Sequence, residues 1–178
     1  MENFSFKNST RLIFGKDIHQ DIGKYTKSYG SKILLHYESD GDLIKKLGIY
    51  NTIINSLNEN NIEYIELGGV VPNPRLSLVK KGIEICKDEK IDFILAIGGG
   101  SVIDSAKAIS LGAKYDGDVW DFLTNAGINS KCRTIPSYLD NHLRTVDLYR
   151  DSGNGECVYF QGQEQGRSKS QCSLALSS

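Results

Sequence analysis

The 178-residue chain carries 21 Lys and Arg against 22 Asp and Glu, a formal net charge of -1, which excludes a protein drawn as a whole to nucleic acid or an anionic membrane. The opening MENFSFKNSTRLIF has no apolar stretch of signal-peptide length and no later run approaches a membrane span, so the expected compartment is the cytoplasm. Cys86, Cys132, Cys157 and Cys172 show no CxxC pair and no histidine in ligand spacing; reduced thiols are expected, with neither a zinc site nor a disulfide framework.

Thr10 to Phe14 reads as an opening strand, with Gly15-Lys16 as its turn. Ile18, Ile22, Tyr25 and Tyr29 recur at helical spacing, which predicts a helix over Asp17 to Tyr29 stopped by Gly30. His19, in its first turn, is expected to be an exposed polar residue. The next strand is Ser31 to Tyr37, in which His36 is expected as a packed or rim histidine rather than a catalytic base. Glu38-Ser39-Asp40-Gly41-Asp42 follows as an acidic loop. Such a loop, at the carboxyl end of a parallel strand, lies where open α/β sheets hold ligands. An acidic residue there accepts hydrogen bonds from a ribose diol and repels a 2′-phosphate, although the same residues also compose an ordinary solvated turn.

Asp42 to Asn60 carries Leu43, Leu47, Ile53, Ile54 and Leu57 with an interruption at Gly48, which predicts two helical pieces or one broken helix. Glu63 to Leu67 is a second inner strand, and Gly68 to Pro74 is expected as a rigid loop. Within it Asn73, between two prolines, is expected to be extended. Its amide is then presented to a ligand or merely shapes the turn. Leu76, Val79, Ile83 and Cys86 predict a further amphipathic helix.

The most informative stretch is Ile91 to Lys107, IDFILAIGGGSVIDSAK. Its apolar run suits a parallel strand covered on both faces. The three glycines that follow allow left-handed backbone and close approach to a bound group. Ser101 and Asp104 form a capping-box pattern at the start of a helix, whose free N–H groups make an anion site. Gly98-Gly99-Gly100-Ser101 matches neither GxGxxG nor GxxxxGK[ST]. Strands at intervals of about 30 residues with helices between them specify an α/β fold built from parallel, right-handed βαβ units, with the strand order left open.

Pro72-Asn73-Pro74, IDFILAIGGGSVIDSAKAI and GAKYDGDVWDFL together resemble the amino-terminal domain of iron-containing (group III) alcohol dehydrogenases, in particular their butanol dehydrogenase branch. The resemblance runs from about Asn3 to Thr124, includes TRLIFGK, and centres on GGGSxxDxxK at Gly98 to Lys107. It implies a Rossmann-like dinucleotide-binding domain at residues 1–124. In the family, a following all-helical domain holds a divalent metal, iron or zinc, that polarises the alcohol oxygen for hydride transfer to the cofactor. Carried over by position, Gly98, Gly99, Gly100 and Ser101 cradle a pyrophosphate, and Asp104 supports the loop or the ribose side. Glu38 falls where NAD-preferring members have an acidic residue and NADP users a small one, and Asn73 falls on a cofactor-contacting asparagine. The implied cofactor is NAD, with NADP as the alternative. The implied partner is a small-molecule alcohol or aldehyde, with no nucleic acid and no membrane, and the family commonly forms homo-oligomers. Two other readings stay open: a non-catalytic nucleotide-binding fragment, and a glycerol dehydrogenase-like member of the same fold.

After Thr124 the resemblance is expected to end. Residues 125–178 contain one histidine, His142, and no counterpart to the family's ligand set of an Asp and three His, so the metal-binding domain is expected to be absent. Scattered Ser, Gln and Gly predict a poorly ordered tail. A frameshift or a wrongly joined coding sequence is one origin for it. Read one nucleotide later, codons permitted for Tyr149 to Cys157, YRDSGNGEC, encode Thr-Gly-Thr-x-Gly-Met-Gly-Asn, similar to the threonine- and glycine-rich continuation of the family.

Overall fold

A computed structural model describes residues 11–39, 41–121, 144–150 and 156–161. They form one six-stranded sheet flanked by helices. In chain order the strands are β1 (Arg11–Gly15), β2 (Lys32–Glu38), β3 (Glu63–Val70), β4 (Phe93–Ile97), β5 (Arg144–Arg150) and β6 (Glu156–Gln161). The helices are α1 (Ile22–Thr26), α2 (Asp42–Lys46), α3 (Ile49–Glu59), α4 (Leu76–Asp88) and α5 (Gly100–Ala113). The spatial order is β1-β6-β5-β4-β2-β3; β3, β2, β4 and β5 run parallel, β6 returns antiparallel to β5, and β1 pairs antiparallel with β6, which restores the direction of the parallel strands. Among the described residues, no helix is long and apolar enough to cross a membrane.

Two apolar layers account for the alternation in the inner strands. Ile33, Leu35 and Tyr37 of β2, with Phe93, Leu95 and Ile97 of β4, pack with Ile22 of α1 and Ile53 and Leu57 of α3 on one face. Leu34, Ile94 and Ala96 turn the other way and meet Val79 and Cys86 of α4 and Val102, Ala106 and Ile109 of α5. Successive strand residues point to opposite faces, so strands covered on both sides read as continuous hydrophobic runs. Cys86 carries a free thiol pushed up to about 12 by burial.

Several elements differ from their sequence expectation. The helix expected over Asp17 to Tyr29 is three short pieces, the α1 turn between 3-10 turns at Ile18–Asp21 and Lys27–Tyr29. Thr26 donates its hydroxyl back to the Ile22 carbonyl at 2.7 Å, a side-chain bond that competes with regular helix geometry. His19, expected exposed, is buried. Gly68 and Gly69, expected in a loop, are the last part of β3. Asn73 is not extended but left-handed, φ 61°; asparagine is among the few residues that accept this region, and the neighbouring prolines disfavour only the right-handed alternative.

Two segments of the tail pair into the sheet. Residues 144–150 and 156–161 are strands, so the sheet does not stop at Thr124. The β-branched and aromatic runs in RTVDLYR and ECVYFQ suit a pleated surface and carry no helical period. Asn3, Thr10, Asp40, Thr124, Cys132, His142 and Cys172 lie outside the described residues.

Candidate functional site

The carboxyl ends of β3, β2 and β4 come side by side at one edge of the sheet. The connection from β2 leads to β3 on one side, whereas β4 continues to β5 on the other. The gap between β2 and β4 is therefore a topological switch point, where crossover helices diverge and open α/β sheets leave a crevice. The last register pair of these strands is Tyr37 with Ile97. The next residues are Glu38 and Gly98, which directly follow this pair at the ends of the two strands. The acidic residue and the glycine loop, distant in sequence, thus follow the carboxyl ends of two neighbouring strands.

Gly98 leaves β4 at φ 152°, and a Cβ there would lie 2.6 Å from Val102 Cγ2. Glycine is required both by the conformation and by the approach of the helix. Gly99 is the N-cap of α5, and its carbonyl accepts from the N–H groups of Val102 at 3.0 Å and Ile103 at 3.2 Å. The capping box expected from Ser101 and Asp104 does not form. No side chain caps α5, and Ser101 lies inside the first turn because the helix begins at Gly100. A Cβ built on Gly99 or Gly100 meets nothing within 4 Å. Open space thus stands over an uncapped helix start, whose unpaired N–H groups and positive dipole end favour an anion. Asp104 is three residues beyond Ser101 and four beyond Gly100, on the same flank of α5, and is half-buried.

Glu38 is half-exposed at the end of β2. Alternation along the strand places it with Leu34 and His36 on the α5 face. A tight turn follows, closed by the Gly41 N–H donating to the Glu38 carbonyl at 2.9 Å. Asn73 is exposed, three residues beyond the end of β3. Glu38 and the Gly98–Ser101 loop are brought together by strand pairing, with Asp104 on the loop's helix; Asn73 stands on the flanking loop.

His36, expected to be packed or at the rim rather than catalytic, is the buried histidine beside this site. It is fully buried, with Nδ1 2.7 Å from the Leu67 carbonyl and Nε2 2.9 Å from Ser105 Oγ. A carbonyl only accepts, so Nδ1 carries the proton and Nε2 accepts from the serine hydroxyl. Burial pulls its pKa down to about 4, partly offset by the bond to Leu67. The neutral ring ties β2 to β3 and to the helix behind the glycine loop. No sequence signal distinguished this role, because Ser105 becomes its partner only through packing.

Among the described residues, no group of three or more His, Cys, Asp or Glu converges to hold a metal ion. The divalent metal implied by the sequence resemblance has no fitting ligand set in this part of the chain. The glycine cradle, by contrast, fits a pyrophosphate: it offers room, unpaired N–H donors and the positive end of a helix.

The family model for iron-containing alcohol dehydrogenase matches residues 9–139, extending past the Thr124 limit expected from motifs. The chain is 51% identical over 124 residues to Probable NADH-dependent butanol dehydrogenase 1 of Bacillus subtilis, covering 70% of this chain and 32% of that protein. It is 46% identical over 139 residues to NADH-dependent butanol dehydrogenase A of Clostridium acetobutylicum, covering 78% and 35% respectively. The solved NADH-dependent butanol dehydrogenase A of Thermotoga maritima superposes with a TM-score of 0.63 at 45% identity, covering 68% of this chain and 30% of that one. The chain thus spans about a third of the length of the curated relatives it matches.

Proposed function

Because the chain belongs to the iron-containing alcohol dehydrogenase family, we propose that it supplies the nicotinamide-dinucleotide-binding part of an enzyme that interconverts a primary alcohol such as butanol and its aldehyde. The observation that carries this reading is the adjacency of Glu38 and Gly98 across β2 and β4, beside an open, uncapped helix start. The N–H groups of the Gly98–Ser101 loop would hold the pyrophosphate. Glu38 would accept hydrogen bonds from the adenosine ribose and disfavour a 2′-phosphate by charge repulsion. Asp104 would steady the loop or the ribose side, and Asn73 would contact the cofactor from the β3 loop. When bound, the nicotinamide supplies the hydride acceptor. No step is routed through a metal, since the described residues do not assemble its ligands.

The same observation favours a second reading, a non-catalytic nucleotide-binding protein. Substrate, cytoplasmic location and homo-oligomeric state belong to the first reading, by way of the family. Calorimetric titration with NAD, NADP and ADP-ribose tests the cofactor site they share, and absence of binding to all three at millimolar concentration refutes it. Metal content and butanol oxidation with NAD separate the two readings. With no converging ligand group among the described residues, little metal and no detectable turnover are expected of this chain, and robust activity would exclude the non-catalytic reading.

A further inference from the structure

The register of β2 with β3 shifts between His36 and Glu38. His36 pairs with Leu67, but Glu38 pairs with Val70, so β3 carries one extra residue at Gly68-Gly69. This is a β-bulge, a device that bends a strand and re-aims the residues beside it. Both of its sides are held. Before it, the Leu67 carbonyl accepts from His36 Nδ1 at 2.7 Å. After it, the Ser39 N–H donates to the Val70 carbonyl at 2.8 Å, and the Gly69 N–H donates to the Ser39 carbonyl. Ser39 itself is left-handed, φ 45°, a conformation that persists in a non-glycine residue only when its surroundings impose it.

The two glycines are required for different reasons. A Cβ on Gly68 would lie 2.6 Å from the Ser39 carbonyl oxygen and 2.7 Å from Tyr37 Cε2. That oxygen is backbone, so the chain immediately after Glu38 would have to move. A Cβ on Gly69 meets only Leu78, at 3.7 Å, but the residue sits at φ 98°, which L side chains rarely adopt. Tyr37 is fixed from below by donating its hydroxyl to Glu66 Oε2 at 2.6 Å, so its ring cannot swing aside freely.

We infer that the Gly68-Gly69 bulge is a positioning element for cofactor selectivity: it sets the backbone of Glu38 and Ser39 against the β2–β4 crevice. The inference rests on the ribose-binding reading of Glu38. Neither glycine touches the cofactor; both act through the carboxylate whose main chain they hold.

The test is calorimetric titration of the full chain with ADP-ribose and with 2′-phospho-ADP-ribose, for the wild type, Glu38→Gln, Gly68→Ala and Gly69→Ala. Thermal unfolding of each variant reports whether it folds. Glu38→Gln is expected to weaken ADP-ribose roughly tenfold, the scale of one charge-assisted hydrogen bond, and to compress the ratio of the two affinities. Gly68→Ala, folded, is expected to compress that ratio similarly. Should Gly68→Ala fail to fold, Gly69→Ala carries the test, because its methyl group meets only Leu78 at 3.7 Å and its cost is confined to the unfavourable φ of 98°. A wild-type ratio in the folded glycine variants, or equal weakening of both ligands, overturns the positioning role when Glu38→Gln does change the ratio. An unchanged ratio in Glu38→Gln overturns the ribose reading itself, and the bulge inference with it.

Discussion

His36 Nε2 accepts the Ser105 hydroxyl at 2.9 Å, joining a central strand to the helix that begins at the glycine loop. The ring is buried and neutral, with a pKa drawn down to about 4. In the unfolded chain the same ring protonates near 6.5. The folded state therefore binds fewer protons below that value. The stability from neutral His36 is present in full above pH 6.5 and is lost as the pH falls towards 4. By pH 5 the loss is on the order of 2 kcal/mol. Urea midpoints of the wild type and His36→Asn between pH 7 and 5 check it: the wild type should fall more steeply, and parallel profiles would show that the ring does not titrate as described.

Gly100→Ala should separate folding from binding. Its methyl group enters open space, and alanine is the better residue in a helix, so stability should hold or rise by up to about 1 kcal/mol. The same methyl occupies the room over the helix start, and affinity for ADP-ribose should drop by roughly tenfold or more. Thermal melting and titration on one preparation measure both. A variant that binds like the wild type would place the pyrophosphate elsewhere.

Gly98→Ala should instead cost stability, by about 1–3 kcal/mol, because it combines an unfavourable φ with overlap at Val102. Adding Val102→Ala removes the overlap but not the backbone strain. Denaturant unfolding of the single and double variants should then show that the cost of Gly98→Ala is smaller in the Val102→Ala background than in the wild type.

Asp92 Oδ2 accepts the backbone N–H groups of Ser31 at 2.8 Å and Lys32 at 3.0 Å, tying the entrances of β2 and β4. Asp92→Ala should cost about 1–2 kcal/mol, and Asp92→Asn, which keeps an acceptor oxygen, should cost less. Equal losses in thermal denaturation would mean that charge, not acceptance, matters there.

The family match runs to residue 139, and the shifted-frame resemblance lies at Tyr149 to Cys157. If the tail arose by a frame change, the junction falls between the codons for residues 139 and 149. Resequencing the gene across that interval should reveal it; a continuous frame encoding the same residues in independent isolates would refute the idea.

Much of the fold was legible because its signals are local. The strand-to-helix passage at Ile91 to Lys107 needs a buried apolar run, glycine where the chain turns, and small residues where the helix packs. The helix break at Gly48 was legible for the same kind of reason. The bulge was not legible, because Gly68-Gly69 in isolation reads as a breaker; only pairing with β2 makes it part of a strand. Nor was the left-handed Asn73, since proline constrains its neighbour without choosing among the remaining conformations. The strands of the tail escaped although they carry β-branched and aromatic residues, because short runs of this kind become strands only where β4 offers β5 an edge and β5 and β1 offer edges to β6.

By itself, the sequence determined which segments alternate as strand and helix, and where backbone lacks side chains at the head of α5, because these follow from local conformational preference and hydrophobic period. Only the tertiary structure decided that Glu38 stands next to Gly98. That adjacency depends on β4 pairing beside β2 rather than beside β3, a choice made by the packing of two apolar layers that run the length of both strands.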